Sequence, residues 1–220
     1  MKNDDIIKED FKRKQNKRFT AVFGGTFDPI HKAHLALADK VLEMDFADEI
    51  MFVPAAKPPH KLDKPITSAD HRTAMLKLAL ETNPDYAMSD YEIVNKRKAS
   101  YTVHTLRALQ AAFPERRFKL IMGMDNFRDF DSWHRYQEII NNFDLIIFSR
   151  PENLKPSLAL IEQKFGNRIA GKLAQSFVDS VNIDMSATDI RTKVNREEDI
   201  SDLVLPTIAD YIIENGLYTS

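Results

Sequence analysis

Short apolar runs that alternate with helical segments are the feature that most constrains the fold of this 220-residue chain. The runs are largely apolar throughout, which is typical of strands covered on both faces of a sheet. The predicted strands are FTAVF at 19–23, EIMFV at 49–53, FKLIMG at 118–123, DLIIFS at 144–149 and a strand around 180–183. We therefore predict an α/β protein built on a doubly wound parallel sheet.

Helical segments with start and stop signals separate these strands. They run from Pro29 to near Met44, from Ser68 to about Glu81, over 102–112, near 133–140, from Ser186, and from about Pro206 to Gly216. About the last 35 residues are predicted to form a small C-terminal helical lobe. We expect one domain over residues 19–220, preceded by a flexible leader at 1–18 that carries seven basic and four acidic side chains.

The composition excludes several classes of protein. Lys and Arg total 31 against 33 Asp and Glu, so the chain lacks the basic excess of a nucleic-acid-binding protein. The absence of cysteine excludes disulfides, thiolate nucleophiles and iron–sulfur clusters. No run approaches the ~18 apolar residues of a membrane span. We expect a cytoplasmic protein without membrane partners, and both a monomer and a homo-oligomer stay open.

The loop after the first predicted strand, GGTFDPIHKAH at 24–34, is the best candidate for a ligand site. Ligands of open parallel sheets bind outside the carboxyl ends of the strands. The Gly24–Gly25 pair lets backbone approach a ligand closely, Thr26 adds a hydroxyl, and Pro29 sets up a helix N-terminus. These features together predict an anion site.

His31 and His34 are three residues apart and therefore share one face of the following helix. They could be core residues, metal ligands or hydrogen-bond donors to phosphate. No HExxH motif accompanies them, and the P-loop and dinucleotide-binding fingerprints are absent. The residues alone leave these three interpretations open.

Further motifs follow this loop in a fixed order. They are VPAAKPPHK at 53–61, Arg72 with Met75, SDYEIVNKRKASYTVHTL at 89–106, Gly123, Asp125, Trp133, Arg150–Pro151, MSATDIR at 185–191 and LPTIADYIIENGLY at 205–218. The set resembles the HxGH nucleotidylyltransferase superfamily, and specifically the nicotinate-nucleotide adenylyltransferases of NAD synthesis. The resemblance covers residues 19–218 and implies the Rossmann-like nucleotidyltransferase fold.

The resemblance implies a role for each motif on the ATP side of the site. His31 and His34 would contact the ATP phosphates in the transition state, and Lys61 and Arg191 would add positive charge. The remaining residues implied to bind ATP are Gly25, Thr26, Phe27, Ser186, Thr188 and Arg150. Ser186 also has Asp189 three residues later, so that the spacing independently predicts a capping box at a helix N-terminus.

The resemblance also implies a pocket for nicotinate mononucleotide. Trp133 would stack on the nicotinate ring, and the backbone amides at Tyr101 and Thr102 would hold its carboxylate. Asp125 would contact a ribose or a bound water near the metal, and His60 would add positive charge. Mg²⁺ would enter with ATP, held mainly by phosphates and water. The alternatives are a relative that uses another phosphate acceptor and a non-catalytic nucleotide-binding module.

Two positions depart from the family pattern. Ala33 replaces the glycine between the two histidines, and Ala187 replaces the second serine of the family's ISSTxIR motif. Neither change removes a charge or an imidazole. We therefore expect altered affinity with activity retained.

Overall fold

Six parallel strands form a single sheet in the computed structural model, which describes residues 19–56, 66–95, 100–149, 155–179 and 185–219. The strands are β1 (Phe19–Gly25), β2 (Glu49–Pro54), β3 (Tyr86–Met88), β4 (Arg117–Gly123), β5 (Asp144–Ser149) and β6 (Phe177–Asp179). Their order across the sheet is β3-β2-β1-β4-β5-β6, and every neighbouring pair is parallel. The predicted doubly wound sheet is confirmed.

The helices connect and follow these strands. They are α1 (Lys32–Glu43), α2 (Ala69–Leu80), α3 (Tyr91–Asn95), α4 (Thr102–Ala112), α5 (Met124–Arg128), α6 (Tyr136–Asn142), α7 (Leu158–Phe165), α8 (Asn167–Leu173), α9 (Ala187–Asn195) and α10 (Pro206–Glu214). A 3₁₀ turn at Phe130–Ser132 lies between α5 and α6. None of the helices in this described part of the chain has the length and apolar character needed to cross a bilayer.

The strand predicted around 180–183 lies outside the described part of the chain, which contains β6 directly before it. Two predicted helix starts were wrong. The helix expected at 133–140 begins only at Tyr136, because Trp133 is extended and Arg135 adopts a left-handed conformation with φ 53°. The helix expected from Pro29 begins at Lys32, because His31 is extended and acts as the N-cap. The leader at 1–18 also lies outside the described residues.

Side chains of β1 alternate between two hydrophobic clusters, one on each face of the sheet. Ala21 and Phe23 belong to the first cluster, whereas Val22 belongs to the second. Helices α1, α2 and α10 contribute to the first cluster, and α4, α6 and α8 contribute to the second. Burial on both faces explains why β1 is apolar at successive positions. The C-terminal helical part packs on the first face through residues such as Ile208 and Ile212.

The amino-terminal edge of the sheet, where the parallel strands begin, contains a buried ion pair. Arg116 donates to Glu49 at 2.9 Å and to the hydroxyl of Thr20 at 3.2 Å. The two charged side chains are only 5% and 1% exposed. Because Thr20 is in β1, Glu49 begins β2 and Arg116 directly precedes β4, the pair joins the three central strands at their starts.

We expect Arg116→Met to lower the free energy of unfolding by about 3–5 kcal/mol, because it leaves the Glu49 carboxylate buried without its countercharge. Chemical denaturation followed by circular dichroism measures the change. Arg117→Met is the matched control, since Arg117 is the adjacent arginine and is exposed. Equal losses in the two variants would contradict a special role for the buried pair.

Candidate active site

The crevice at the carboxyl edge of the sheet lies between β1 and β4. After β1 the chain turns to α1, whose Leu35 and Ala38 pack in the first cluster. After β4 it turns to α5, whose Met124 and Phe127 pack in the second cluster. The two connections therefore leave the sheet on opposite faces and open a crevice between them, which is where such sheets bind ligands.

Gly25 and Phe27 shape the start of the loop after β1. A side chain at Gly25 would lie 2.8 Å from the Phe27 ring, whereas one at Gly24 would meet nothing within 4 Å. Phe27 adopts a left-handed conformation with φ 49°, and its ring is buried against Phe23 and Phe52. The ring of Phe27 therefore occupies the space that only glycine leaves at position 25.

His31 and His34 lie together at the N-terminus of α1. Their rings stack with centroids 3.7 Å apart, and the backbone N–H of His31 donates to Nδ1 of His34 at 3.3 Å. The His34 ring also contacts the edge of the Phe27 ring, with centroids 5.1 Å apart. Because Nδ1 of His34 accepts a hydrogen bond, the proton of the neutral imidazole is on Nε2 and can be donated to a ligand.

The stacked histidines lie at the start of α1, a position that suits an anion. Within the described ranges, no group of three or more His, Asp or Glu side chains is arranged to hold a metal ion. His31 is buried and His34 is half-buried, so that the pair combines packing with a position at the start of a helix. A helix N-terminus favours negative charge.

Arg191 brings α9 to the same loop. Its Nη1 donates to the backbone carbonyl of Asp28 at 2.7 Å, and its Nη2 donates to the hydroxyl of Thr188 at 3.1 Å. Ser186 caps α9 by accepting from the backbone N–H of Asp189 at 3.2 Å, as the spacing predicts. The Ser186 hydroxyl also donates to the Asp189 carboxylate at 2.6 Å. The three motif residues of α9 thus lie at one helix start, which is fastened to the loop after β1.

Tyr101 packs against His134, the residue that directly follows Trp133 in the sequence. The rings of Tyr101 and His134 have centroids 4.6 Å apart, and Tyr101 is the N-cap of α4, with Thr102 as its first residue. Trp133 is half-buried, with its ring edge-on to Phe130 at 5.5 Å. Asp125 is exposed in the first turn of α5, directly beyond the end of β4.

The chain just after β2 is hydrogen-bonded both to the loop after β1 and to the segment before α4. The backbone N–H of Ala55 donates to the carbonyl of Gly25 at 2.8 Å, and that of Ala56 donates to the hydroxyl of Ser100 at 3.2 Å. The segment that precedes Tyr101 is therefore held at a fixed place relative to the loop after β1.

Glu92 is a half-buried residue of this region that was not predicted as a site residue. It accepts a hydrogen bond from the Thr105 hydroxyl at 2.6 Å and lines a small cavity with Tyr91, Ser100, Tyr101 and His104. Partial burial raises the pKa of the Glu92 carboxyl, against the opposing effect of its hydrogen bonds. The contact with Thr105 depends on the tertiary fold, so that no local sequence signal points to it.

Three of the predicted site residues, His60, Lys61 and Arg150, lie outside the described residues.

A larger cavity of about 370 Å³ lies between α6, α7 and α8, and none of the predicted site residues lines it.

Comparison with known proteins places the chain in a class. The cytidylyltransferase-like family model matches residues 22–193, a range that contains β2 to β6 and most of β1. The fold and the loop after β1 thus belong to a cytidylyltransferase-like protein.

Individual relatives are more specific. The chain is 37% identical over 198 residues to the "Probable nicotinate-nucleotide adenylyltransferase" of Caldicellulosiruptor saccharolyticus, covering 90% of this chain and 97% of that protein. It is 38% identical over 202 residues to the protein of the same name from Clostridium acetobutylicum, covering 90% and 98%. The chain belongs to the nicotinate-nucleotide adenylyltransferase family.

Solved structures share the fold. Plasmodium falciparum nicotinic acid mononucleotide adenylyltransferase complexed with NaAD aligns with a TM-score of 0.69 at 22% identity, covering 91% of this chain and 97% of that chain. The same enzyme complexed with APC aligns with a TM-score of 0.68 at 22% identity, with the same coverage.

We expect Gly25→Ala to lower the free energy of unfolding by about 1–3 kcal/mol, because the added methyl group would press on the buried Phe27 ring. Gly24→Ala is the matched control, because its methyl group enters open space. Thermal unfolding of both variants measures the difference. A Gly25→Ala protein as stable as Gly24→Ala would show that the Phe27 ring can move aside.

Proposed function

We propose that this chain transfers the adenylyl group of ATP to nicotinate mononucleotide, giving nicotinate adenine dinucleotide and pyrophosphate. The observation that carries the proposal is the stacked His31–His34 pair at the start of α1, fastened to the Arg191 side of the crevice through Asp28. Family membership at 37% identity over nearly the whole chain supports it.

The proposed reaction needs stabilisation of negative charge rather than a general base. The phosphate of the mononucleotide is already an anion, and it attacks the α-phosphorus of ATP as the bond to pyrophosphate breaks. Negative charge builds on the departing pyrophosphate, and preorganised donors stabilise it. The proposed donors are His31, His34 and Arg191, together with Lys61, which lies outside the described residues.

Backbone groups complete the proposed ATP site. Gly25, Thr26 and Phe27 line the crevice at the end of β1, and the first amides of α9 at Ser186 and Thr188 face a phosphate. The Asp189 carboxylate lies in the first turn of the same helix and accepts from the Ser186 hydroxyl, so that a bound phosphate has to share this N-terminus with a carboxylate. Arg150 is proposed to line the same site from outside the described residues.

The proposed pocket for the mononucleotide lies around the start of α4. The first amides of a helix have no intrahelical acceptor, so that those at Thr102 and after it suit the nicotinate carboxylate. Trp133 would stack on the ring, and Asp125 would contact a ribose or a bound water near the metal. His60 would add positive charge near the phosphate. The contact of Tyr101 with His134, which follows Trp133 in the sequence, supports the pairing of Trp133 with the start of α4.

We also propose that Mg²⁺ accompanies ATP, where it would be held mainly by phosphates and water and would neutralise phosphate charge. A single domain over residues 19–220, a cytoplasmic location and the absence of nucleic-acid partners remain part of the proposal, the last supported by the net charge of −2.

A turnover comparison tests the proposed function directly. Purified protein is supplied with ATP, Mg²⁺ and either nicotinate mononucleotide or its amide, and pyrophosphate release is measured. We expect efficient turnover with the acid and much slower turnover with the amide, because an amide has one acceptor and an NH₂ group that faces the amide donors badly. Turnover with neither compound would overturn the proposal.

We expect His34→Ala to lower kcat by about 10²-fold, since removing one preorganised donor to transition-state charge costs on the order of 3 kcal/mol. His34→Gln keeps an N–H donor near the position of Nε2 and should retain more activity than His34→Ala. Steady-state kinetics with a thermal-unfolding control separates the two. An unfolded His34→Ala whose folded fraction is fully active would instead support the core-residue interpretation.

We expect Trp133→Ala to raise KM for both mononucleotides while the acid-over-amide ratio stays unchanged, because stacking contributes roughly 1–3 kcal/mol to either ring. Trp133 is the only tryptophan of the chain, so its fluorescence reports contact with the ligand in the unmodified protein. Unchanged fluorescence at saturating nicotinate mononucleotide, together with an unchanged KM in Trp133→Ala, would place the indole outside the pocket.

A further inference from the structure

We propose that Tyr218 and Asp28 are positioning residues, which hold the loop carrying His31 and His34 in its binding conformation from the C-terminal side of the fold. The inference rests on the proposed function of that loop. Tyr218 is 190 residues further along the chain than Asp28, and the contact between them is made by one hydroxyl group.

Asp28 lies in the middle of the loop and is only 5% exposed. Its Oδ1 accepts from the Tyr218 hydroxyl at 2.8 Å, and its Oδ2 accepts from the backbone N–H of Thr67 at 3.2 Å. A buried carboxylate is stable only when its oxygens are hydrogen-bonded. Both oxygens of Asp28 are therefore satisfied by groups that come from outside the loop.

Arg72 supports the same loop from beneath. It is 1% exposed, and it donates from Nη1 to the carbonyl of Thr26 at 2.7 Å and from Nε to the carbonyl of Thr67 at 2.9 Å. Its positive charge also lies near the Asp28 carboxylate, which opposes the lowering of the Arg72 pKa by burial. The loop is thus fixed at residue 26 by Arg72 and at residue 28 by Tyr218.

The C-terminal part of the chain makes several contacts with this loop. The backbone N–H of Lys32 donates to the carbonyl of Leu203 at 2.9 Å, and the Lys32 ammonium donates to the carbonyl of Ser201 at 3.0 Å. Arg191 contacts the carbonyl of Asp28, as described above. Tyr218 is the contact that reaches the carboxylate itself.

The Tyr218 hydroxyl is suited to remain a donor. Burial and the neighbouring Asp28 carboxylate both raise its pKa well above the usual range of tyrosine, so that the proton stays on the phenol. Tyr218 and Phe27 both adopt left-handed backbone conformations, with φ 65° and 49°. Non-glycine residues keep such conformations only where the surroundings impose them; here one is Tyr218 itself, and the other directly precedes its partner Asp28.

Tyr211 offers a matched control on the same C-terminal part of the chain. Its hydroxyl is hydrogen-bonded to Nδ1 of His71 at 2.9 Å, which joins α10 to α2 without involving the loop after β1. Tyr211→Phe and Tyr218→Phe each remove one partly buried hydroxyl. Any effect specific to the loop therefore appears as a difference between these two variants.

We expect Tyr218→Phe to lower kcat about tenfold while KM for nicotinate mononucleotide changes less than about twofold, because small misplacements of catalytic groups affect the reacting geometry more than distant binding contacts. Tyr211→Phe should lower Tm by about as much as Tyr218→Phe does, and it should keep the wild-type kcat. Wild-type kcat in Tyr218→Phe, or equal losses of kcat in the two variants, would overturn the proposal.

A double-variant cycle tests whether Tyr218 acts through Asp28. If it does, Asp28→Asn combined with Tyr218→Phe loses no more turnover than Asp28→Asn alone. If the losses of turnover in the two single variants multiply in the double variant, Tyr218 does not act through Asp28. Thermal unfolding confirms that each variant is folded at the assay temperature, and Tyr218→Phe alone decides the matter if Asp28→Asn does not fold.

A ligand-free measurement separates this inference from the proposed function. Histidine ring signals in NMR spectra, assigned with His31→Gln and His34→Gln, should move for both histidines in Tyr218→Phe and stay in place in Tyr211→Phe. If the wild-type protein fails to join ATP and nicotinate mononucleotide, the proposed function is wrong, and these spectra still decide the positioning role. Unmoved His31 and His34 signals in Tyr218→Phe would overturn it.

Discussion

β1 is hydrogen-bonded to β2 on one side and to β4 on the other, and the rest of the molecule depends on this double pairing. The two pairings bring the end of β1 beside the ends of its neighbours, so that Gly25 lies opposite Pro54 in the register. They also make the connections after β1 and β4 leave on opposite faces of the sheet. The crevice follows from this topology before any side chain is considered.

The two edges of the sheet differ in how their charged and polar groups are paired. At the amino-terminal edge, Arg116 and Glu49 are buried and neutralise each other. At the carboxyl edge, helix starts and the stacked His31–His34 pair leave hydrogen-bond donors near a crevice. The first arrangement stabilises the pairing of the central strands, and the second suits a ligand that brings negative charge with it.

Much of this fold follows from the sequence because its signals are local. The strand at 144–149 and the helix at 102–112 have the predicted bounds, and Ser68 and Ser186 cap their helices as their positions indicate. The three-residue strands β3 and β6 are too short to show periodicity, which explains why neither was predicted. Helices α7 and α8 were also missed, because each is only about two turns long and too short to show a clear helical period.

The candidate site was less predictable because its geometry depends on distant contacts. The motif at 24–34 indicates an anion site, and family resemblance assigns roles to its residues. The stacking of His31 on His34, the partial burial of Glu92 and the contact between Asp28 and Tyr218 are tertiary features. No spacing of residues in the sequence predicts a hydrogen bond between residues 190 positions apart.

The hydrogen bonds that Ala55 and Thr67 make to the loop after β1 have a consequence for ligand affinity. The N–H of Ala55 donates to the carbonyl of Gly25, and the N–H of Thr67 donates to the carboxylate of Asp28, so that the loop is fixed at two points before any ligand arrives. A loop whose conformation is already fixed loses little conformational entropy when a ligand binds. More of the free energy of the ligand contacts therefore remains as affinity.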